Sequence, residues 1–448
     1  MTAARQSPPP PPAPLHVPNL AWHGGAGRAR IALPDHAFPV DGFTAERDPL
    51  HARVLLLDDG RARVAVLSLE QTSLRDETVA AVRDLVHREA GVDPQHVVVG
   101  VTHTFSAPHV TPADDDPGTD DAGRAALLRT ALEDAVRAAA VQAHARLAPV
   151  RLARATARSH VAVNRDVRTP HGWWLGADEE GPRDDLVTAL RVDDADGAPV
   201  AVLFSSAVQP SVLNESRTRS GDRLVSADLA GAAASYVERA LPGSVALFLV
   251  GAAGDQAPRR VAATPVVAED GTPGFADQHE TEYAVCDVLG DLLGSAVVQA
   301  VRAAPTAPPP RGLTLVRDSV ELAGQRPPTS FRSLRPSPDY TYVASSPEQV
   351  PYVLLDMGGL VTLVGVRPEL NARTGADVRE RSTTPGTFVA CCVDGAAKYL
   401  PDAASYERRT YEAMNSRYAR GGAEALADAL VARLGRLGSA RGPSGARA

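Results

Sequence analysis

Cysteine and long apolar runs are scarce in this sequence of 448 residues, and it has no excess of positive charge. Its three cysteines, Cys286, Cys391 and Cys392, show neither a CxxC pair nor the Cys/His spacing of a zinc finger. So few cysteines indicate a reducing compartment, and we expect all three to be small core residues. The formal net charge of −8 argues against a surface for nucleic acids or anionic membranes, because both require a basic face.

Secretion signals and membrane spans are also lacking from the sequence pattern. The N-terminal stretch MTAARQSPPPPPAPLHVPN is rich in proline and has no charged segment followed by an apolar one. No apolar run approaches the length of a spanning helix. We therefore expect a cytoplasmic protein without a membrane span that acts on a small-molecule partner. The sequence leaves its oligomeric state open.

The patterned segments predict one folded domain with a tail at each end. Residues 1–23 form a proline-rich extended tail, residues 24–436 a single domain, and residues 437–448 a second disordered tail. The proline-rich segment 302–312 is expected to join two halves of the same unit. A hydrophobic content of 44% and a charged content of 22% are typical of a globular protein with a large core.

Three strand–helix–strand units follow one another along the chain. Unbroken apolar strands on both sides of a helix predict parallel neighbours that are buried on both faces. The fold class is therefore α/β, with mixed or mostly parallel sheets flanked by helices. The units are RVAVLSLEQTSL with ETVAAVRDLVHREAG and HVVVGVTHTFSAPH; PVAVLFSSAVQPSVL with SADLAGAAASYVERAL and SVALFLVGAAGDQAP; and LVTLVGVRPEL with NARTGADVRERS and TFVACCVDGAAKYLP.

Polar side chains follow the strands of all three units. Functional groups in parallel sheets collect beyond the carboxyl ends of the strands, so these side chains are expected to converge on one site. The alternative is that polar residues simply mark where strands stop. The residues are Glu70, His103, Gln209, Asp255, Glu369 and Tyr399.

Six short motifs occur in a fixed order along the chain: VTHTFSAPH, VAVNRD, AVQPSVL, GAAGDQAPR, GVRPELNARTG and KYLPDAASYERRTYE. In this order they resemble the catalytic domain of the neutral/alkaline non-lysosomal ceramidase family, whose members are zinc-dependent amidases that split N-acyl sphingosine. The likeness runs from about residue 25 to about residue 426. It implies a ceramidase-like catalytic domain without the family's C-terminal β-sandwich domain.

The resemblance also implies a metal site and its ligands. It places His103 on the first zinc-binding histidine, Gln209 on the second, Glu369 on the zinc carboxylate and Tyr399 on the zinc-proximal tyrosine. Arg165 falls on an active-site arginine. Zinc is therefore the expected cofactor.

Three positions depart from the family pattern. Phe105 replaces the second histidine of the Thr-His-Thr-His loop, Gln209 replaces a zinc-binding histidine, and Ala257 stands where ceramidases carry a serine assigned a catalytic role. An amide oxygen is a weaker and harder ligand than imidazole, so another divalent ion, or no metal, remains an alternative to zinc. These changes imply that ceramide itself is not the substrate.

Catalytic roles are assigned on chemical grounds. Tyr399 and Arg165 are candidates to stabilise a developing oxyanion. His109 is a candidate general base, because phenylalanine at the family's second loop histidine cannot move a proton; its alternative is a histidine on a surface loop. Asp255 lies in a glycine-rich loop, where glycines permit close backbone approach to a ligand, or where the carboxylate caps a tight turn.

Substrate contacts are expected from aromatic and basic residues near these motifs. Phe105 alternates with His103 and is expected to line the same cleft with an apolar face. Trp173 and Trp174 lie in TPHGWWLGADEEGPRDD, which is interpreted as a loop that covers the substrate, or alternatively as a plug over the core. Arg259 is a candidate to bind a substrate carboxylate.

Three functions are compatible with these residues. The first is a metal-dependent hydrolase of an amide (N-acyl) bond in a small molecule other than ceramide. The second is a repurposed enzyme of small-molecule biosynthesis that catalyses a non-hydrolytic step, namely a cyclisation, an acyl transfer or an elimination. The third is an inactive binding homologue.

Overall fold

The structure is a computed structural model and describes residues 22–110, 121–309 and 311–439. The predicted tails, residues 1–23 and 437–448, lie largely outside these ranges. Trp22 is described and buried, so the ordered part begins at least two residues before the predicted boundary at residue 24. The single-domain interpretation of residues 24–436 stays a prediction.

The described residues contain eight α-helices and twenty-one strands. The helices are α1 (Asp76–Ala90), α2 (Asp121–Ala145), α3 (Asp228–Ala240), α4 (Tyr283–Ala303), α5 (Ala372–Arg381), α6 (Ala403–Arg408), α7 (Tyr411–Met414) and α8 (Gly422–Ser439). The strands of the first half are β1 (His23–Ile31), β2 (Ala45–Glu46), β3 (Leu50–Asp58), β4 (Arg63–Leu69), β5 (Val97–Val101), β6 (Ala148–Arg158), β7 (Ala162–Thr169), β8 (Gly172–Asp178), β9 (Leu186–Asp194) and β10 (Pro199–Ser206). Those of the second half are β11 (Leu224–Val225), β12 (Val245–Val250), β13 (Gln256–Pro258), β14 (Ala263–Val267), β15 (Pro273–Asp277), β16 (Leu313–Gln325), β17 (Ala344–Met357), β18 (Val361–Val366), β19 (Glu369–Leu370), β20 (Thr387–Ala390) and β21 (Tyr399–Leu400).

All three predicted strand–helix–strand units are present, and each has parallel strands. β4 pairs with β5, β10 with β12, and β18 with β20. The sheets as a whole are mixed, which is one of the two arrangements predicted, because each parallel pair lies at a sheet edge and its inner strand pairs antiparallel with the next strand. The eight-stranded sheet has the order β12-β10-β9-β6-β1-β3-β4-β5, in which short turns connect β3 to β4 and β9 to β10. Such short connections join antiparallel strands, whereas parallel strands need a crossover.

The molecule is built in four layers. Helices α1 to α4 cover one face of the eight-stranded sheet, and its other face packs on the four-stranded sheet β16-β17-β18-β20. Helices α5 and α8 cover the far face of that second sheet. Alternate residues of one strand enter different layers: Val54 and Leu56 contact the helix side, while Leu55 and Leu57 lie between the sheets. This alternation follows from the two-residue period of a strand.

Hydrogen bonds join the two sheets at the edge where the parallel strands end. Asp394 N donates to Val99 O at 2.7 Å, and Cys391 N donates to Val250 O at 2.9 Å. The end of β20 therefore lies against β5 and β12 of the larger sheet. Loops from all three units meet at this edge.

Helix α4 and the 3-10 turn before it form one segment, His279–Ala303, that is long and apolar enough to cross a membrane by length and composition. Within its most apolar stretch 44% is buried inside the protein. Its inner side packs into the core through Leu289, Leu293 and Val297. The absence of a membrane span stays a prediction.

The segment with adjacent tryptophans is a strand and not the loop that we expected. Trp173 and Trp174 lie in β8, which pairs antiparallel with β7. Trp174 is buried with Leu334 and Met414. The alternation of a strand places the two rings on opposite faces, so they do not form a continuous aromatic cover.

Candidate active site

His103 lies two residues beyond β5 and is buried. Its backbone has a φ of 66°, a left-handed conformation that is unusual for any residue other than glycine and that occurs mostly where surrounding structure enforces it. The Nδ1 atom lies 2.6 Å from the backbone oxygen of Thr72. Nδ1 therefore carries the proton and donates it to Thr72, which leaves Nε2 directed at Glu369 Oε2, 3.2 Å away.

Gln209 lies between a cation and an anion. Its Oε1 accepts a hydrogen bond from Arg165 Nη1 at 2.7 Å, and its Nε2 donates to Glu369 Oε2 at 2.8 Å. The opposite orientation of the amide would place its NH₂ against the guanidinium and its oxygen against the carboxylate, and both contacts are unfavourable. Arg165 therefore holds Gln209 with its nitrogen toward Glu369. In this arrangement the Gln209 oxygen is not offered to a metal ion beside His103.

Glu369 and His103 are opposite charges in a buried environment. Burial raises the pKa of Glu369, but His103, Arg165 and Lys398 lower it by more, so it stays below its ordinary value. Burial lowers the pKa of His103, whereas Cys392 and Glu369 hold it well above its ordinary value. Without a metal, the pair is thus an imidazolium and a carboxylate at neutral pH.

Cys392 is the third group at this point and was not expected from the sequence, which suggested a small core residue. It follows β20 by two residues, has a φ of 53°, and its Sγ lies 3.6 Å from His103 Nδ1. Ligand atoms of His103, Glu369 and Cys392 lie within 4.8 Å of one another. The one sequence feature that could have indicated this role is the position of Cys392 after the last strand of the third strand–helix–strand unit. The neighbouring Cys391 is a core residue, as predicted, and accepts from Leu370 N.

Arg165 enters the site from β7 and is held by a carboxylate. Its Nε and Nη2 both lie 2.6 Å from Oε1 of Glu412, a fully buried residue of α7 and the last residue of the motif KYLPDAASYERRTYE. The guanidinium lies 5.2 Å from the ring centre of Tyr399 and 6.0 Å from that of Tyr411. Burial and the charge of Glu369 raise the pKa of Tyr399 well above its ordinary value despite Arg165. Tyr399 is therefore a neutral hydrogen-bond donor at neutral pH.

Asp255 holds the loop that positions Glu369. Its carboxylate accepts from Ala372 N at 2.8 Å and from Asn164 Nδ2 at 3.0 Å. Burial raises its pKa to about 6, although the backbone hydrogen bond from Ala372 opposes this. Asp255 thus anchors the start of α5, three residues after Glu369. These contacts match the alternative of a carboxylate that caps a turn.

Phe105 is the expected apolar neighbour of the histidine. Its ring meets the His103 ring edge to face, with 4.8 Å between the centres. Its side chain is half-buried. The placement agrees with a role as a wall of the cleft, and contact with substrate stays a prediction.

The remaining predicted site residues are not part of this group. His109 is exposed, and its Nδ1 pairs with Asp41 at 2.6 Å, which corresponds to the surface-loop alternative. Arg259 pairs with Glu179 near the surface. The two tryptophans lie behind the site. Arg408 stacks 4.9 Å from Trp173, and Trp174 packs 5.4 Å from Tyr411.

The fold is ceramidase-like: mixed sheets are flanked by helices, and three strand-end loops meet around the buried pair of His103 and Glu369. No protein-family model matches the sequence, and no curated protein matches it. A solved structure of neutral ceramidase from Pseudomonas aeruginosa is 16% identical, with a TM-score of 0.68 over 96% of this chain and 76% of that one. A structure of ceramidase complexed with C2 is 17% identical, with a TM-score of 0.67 over 96% of this chain and 77% of that one. The resemblance inferred from the motifs is confirmed at the level of the fold.

Proposed function

We propose that this protein is a metal-dependent hydrolase that cleaves an amide (N-acyl) bond in a small molecule other than ceramide. The observation that carries the proposal is the geometry of His103 and Glu369. Among the described residues, His103 Nε2 is buried without a hydrogen-bond partner, although Glu369 Oε2 is only 3.2 Å away. Two ligands of a tetrahedral zinc ion, each about 2.0–2.2 Å from it, lie roughly 3.3 Å apart.

The donor set fits a divalent metal. His103 and Glu369 would hold it, and the Thr72 carbonyl on Nδ1 fixes the tautomer in which Nε2 has a free lone pair. Cys392 offers a thiol beside them, a ligand type that zinc accepts. Zinc is the first choice among divalent ions. A metal held there would supply Lewis-acid polarisation of the scissile carbonyl.

The chain's own residues supply the rest of the chemistry. Arg165 and Tyr399 place a cation and a neutral phenol close together beside Glu369, where they would donate to the oxyanion that forms as the carbonyl is attacked. Gln209 orients Glu369 through its amide nitrogen. The substrate would differ from ceramide because Phe105 places an apolar ring against His103, and Ala257 lacks the hydroxyl that ceramidases carry there.

Metal content and amide cleavage test this function directly. The full chain is analysed by elemental mass spectrometry, and amine release is measured from a panel of N-acyl amines and N-acyl amino acids. We expect stoichiometric zinc or another divalent ion, lost in His103→Ala and Glu369→Ala, and at least one amide cleaved in a chelator-sensitive manner. His109→Ala is the control and keeps its metal. Metal-free protein whose amide cleavage resists chelation would contradict the mechanism.

A non-hydrolytic biosynthetic step is the second candidate, and one observation favours it. Arg165, Gln209 and Glu369 form a hydrogen-bonded chain, and Glu369 faces the His103 imidazole at 3.2 Å, so a carboxylate lies between two cations without a metal. Such a site would orient a substrate for a cyclisation, acyl transfer or elimination through Tyr399 and Arg165. Turnover of a candidate substrate without incorporation of ¹⁸O from labelled water would favour it over hydrolysis.

A further inference from the structure

Lys398 is the single lysine of the sequence, and it lies at the candidate site. It directly precedes Tyr399, and its backbone oxygen accepts from Glu369 N at 2.9 Å. Its side chain is exposed, and its ammonium lies 4.9 Å from the ring centre of Phe331. The one lysine of the chain is thus a cation beside the buried carboxylate.

A second cation, Arg223, lies beside Phe105. Arg223 Nη2 donates to the backbone oxygen of Phe105 at 3.2 Å, and its guanidinium stacks 4.2 Å from the ring centre of Phe43. Phe105 itself contacts the His103 ring. Arg223 therefore reaches the site through the residue that forms its apolar wall.

Arg332 is a third cation of this region. It adjoins Phe331, with its guanidinium 5.8 Å from that ring centre, and both side chains are exposed. Burial lowers the pKa of Arg223, and the like charges of Arg217 and Arg332 contribute to the lowering. We call Lys398, Arg223, Arg332, Phe105 and Phe331 the cationic rim.

The cations of the rim have no close ion-pair partner, although the charge of Glu369 acts on Lys398 and those of Glu215 and Asp41 act on Arg223. Within the three described stretches of the chain, none of them has an ion pair within 4 Å. The acidic groups nearest to Arg223 are Glu215 and Asp41, and Asp41 is paired with His109. Cations without a close ion-pair partner attract an anion locally, even in a chain of net charge −8.

We propose that the cationic rim binds a carboxylate, and that the substrate is an N-acyl compound that carries one. The amide part of this substrate class rests on the proposed function. Lys398 and Arg223 would contact the carboxylate, and Phe105 and Phe331 would pack against the adjoining hydrocarbon. Arg259, which the sequence suggested for this role, is engaged by Glu179.

Calorimetric binding to the full chain tests the carboxylate preference without requiring turnover. N-octanoylglycine carries the carboxylate on the amine side, N-octylsuccinamic acid carries it on the acyl side, and N-octanoylglycine methyl ester carries none. We expect one of the acids to bind at least tenfold more tightly than the ester, with an advantage that falls as salt rises. Which acid wins shows on which side of the amide the rim lies.

Substitutions at Lys398 provide the matched comparison, since this exposed side chain can change without loss of folding. Lys398→Met is expected to remove most of the preference for the acid, and Lys398→Arg to keep it. Equal binding of acids and ester by the unaltered protein, or binding of none, would overturn the proposal. So would a preference that survives in Lys398→Met.

The single lysine allows an independent measurement. An acetylating reagent for amines has one side-chain target, Lys398, and peptide mass spectrometry quantifies the product. The preferred acid should slow acetylation of Lys398 and the ester should not; equal protection by both would contradict the proposal. A preference for the acid without amide cleavage would support carboxylate binding by the cationic rim and contradict the proposed function. Cleavage of the ester's amide with no preference for the acid would support the proposed function and contradict carboxylate binding.

Discussion

At the scale of single residues, Gln209 influences whether the site of His103 and Glu369 can bind a metal ion. Arg165 orients the Gln209 amide, so that its Nε2 donates a hydrogen bond to Glu369 and its Oε1 points toward Arg165 and not toward His103. An imidazole in its place would offer a nitrogen lone pair that can bind a metal ion, whereas the amide NH₂ group cannot. The identity of residue 209 therefore controls the affinity of this point for a metal.

Gln209→His is expected to raise zinc affinity at least tenfold, because it adds an imidazole ligand beside His103 and Glu369. Competition with a chromogenic chelator measures the change. Gln209→Leu is the control, since it removes the same hydrogen bonds and offers no ligand, and it should not tighten binding. An unchanged affinity in Gln209→His would show that residue 209 does not face the metal.

Asp166 gives a prediction of pH dependence. Burial raises its pKa well above 3.8, and the neighbouring Glu412 and Asp255 raise it further, although Arg408 lies 3.2 Å away. A raised folded pKa means that the contribution of Asp166 to stability is complete below the unfolded pKa and is lost as the pH rises through the folded value.

Asp166→Asn imitates the protonated carboxyl and should therefore raise the melting temperature at pH 8 by a few degrees. The difference from the unaltered protein should shrink toward pH 4, which thermal denaturation at several pH values measures. The exposed Asp134→Asn is the control and should show no such trend. The expectation would be wrong if Asp166→Asn gained less in melting temperature over the unaltered protein at pH 8 than it does at pH 4.

At the scale of elements, the site depends on how closely the loop after β12 approaches β19. Gly254 N donates to Leu370 O at 2.8 Å. A Cβ at Gly254 would lie 3.0 Å from the backbone oxygens of both Glu369 and Leu370. Because these are backbone atoms, neither can move without moving the strand that carries Glu369.

Gly254→Ala is expected to destabilise the protein by about 1–3 kcal/mol and to weaken metal binding, because the added methyl group pushes β19 away. Chemical denaturation and metal titration measure the two effects. Gly435→Ala is the matched control: among the described residues outside its own helical turn, no atom lies within 4 Å of the added Cβ in helix α8, so it should stabilise by roughly 0.5–1 kcal/mol. Equal effects of the two substitutions would refute close packing at Gly254.

At the scale of the whole molecule, the candidate metal site joins the two sheets. His103 follows β5 of the eight-stranded sheet, whereas Glu369 and Cys392 follow β18 and β20 of the four-stranded sheet. An ion held by these residues would bind the folded chain and not the separated sheets. It would therefore stabilise the fold by mass action.

Zinc at one hundred times its dissociation constant should stabilise the protein by about 2.7 kcal/mol and raise its melting temperature. Differential scanning fluorimetry with and without a chelator measures this shift. His109→Ala should keep the shift and His103→Ala should lose it. A shift that persists in His103→Ala would place the stabilising metal elsewhere.

Much of this protein follows from the sequence alone. Unbroken apolar strands around a helix determined the three parallel pairs, because such strands must be buried on both faces and need a crossover to run parallel. The motifs indicated the ceramidase-like fold, and the strand-end pattern predicted His103, Gln209 and Glu369 as neighbours. It was wrong for Glu70, which pairs with Arg53 and His51 instead. Periodicity and connection length are local properties, and local properties can be read from a chain.

The tertiary structure decided what depends on distant contacts. It made Cys392 a third group beside His103, turned the Gln209 amide by means of Arg165, and placed His109 on the surface beside Asp41. It also placed Lys398 beside Phe331 and close enough to Glu369 to lower the pKa of that carboxyl. Apart from the position of Cys392 after a strand, these outcomes have no local signature, since each results from the packing of residues far apart in the chain.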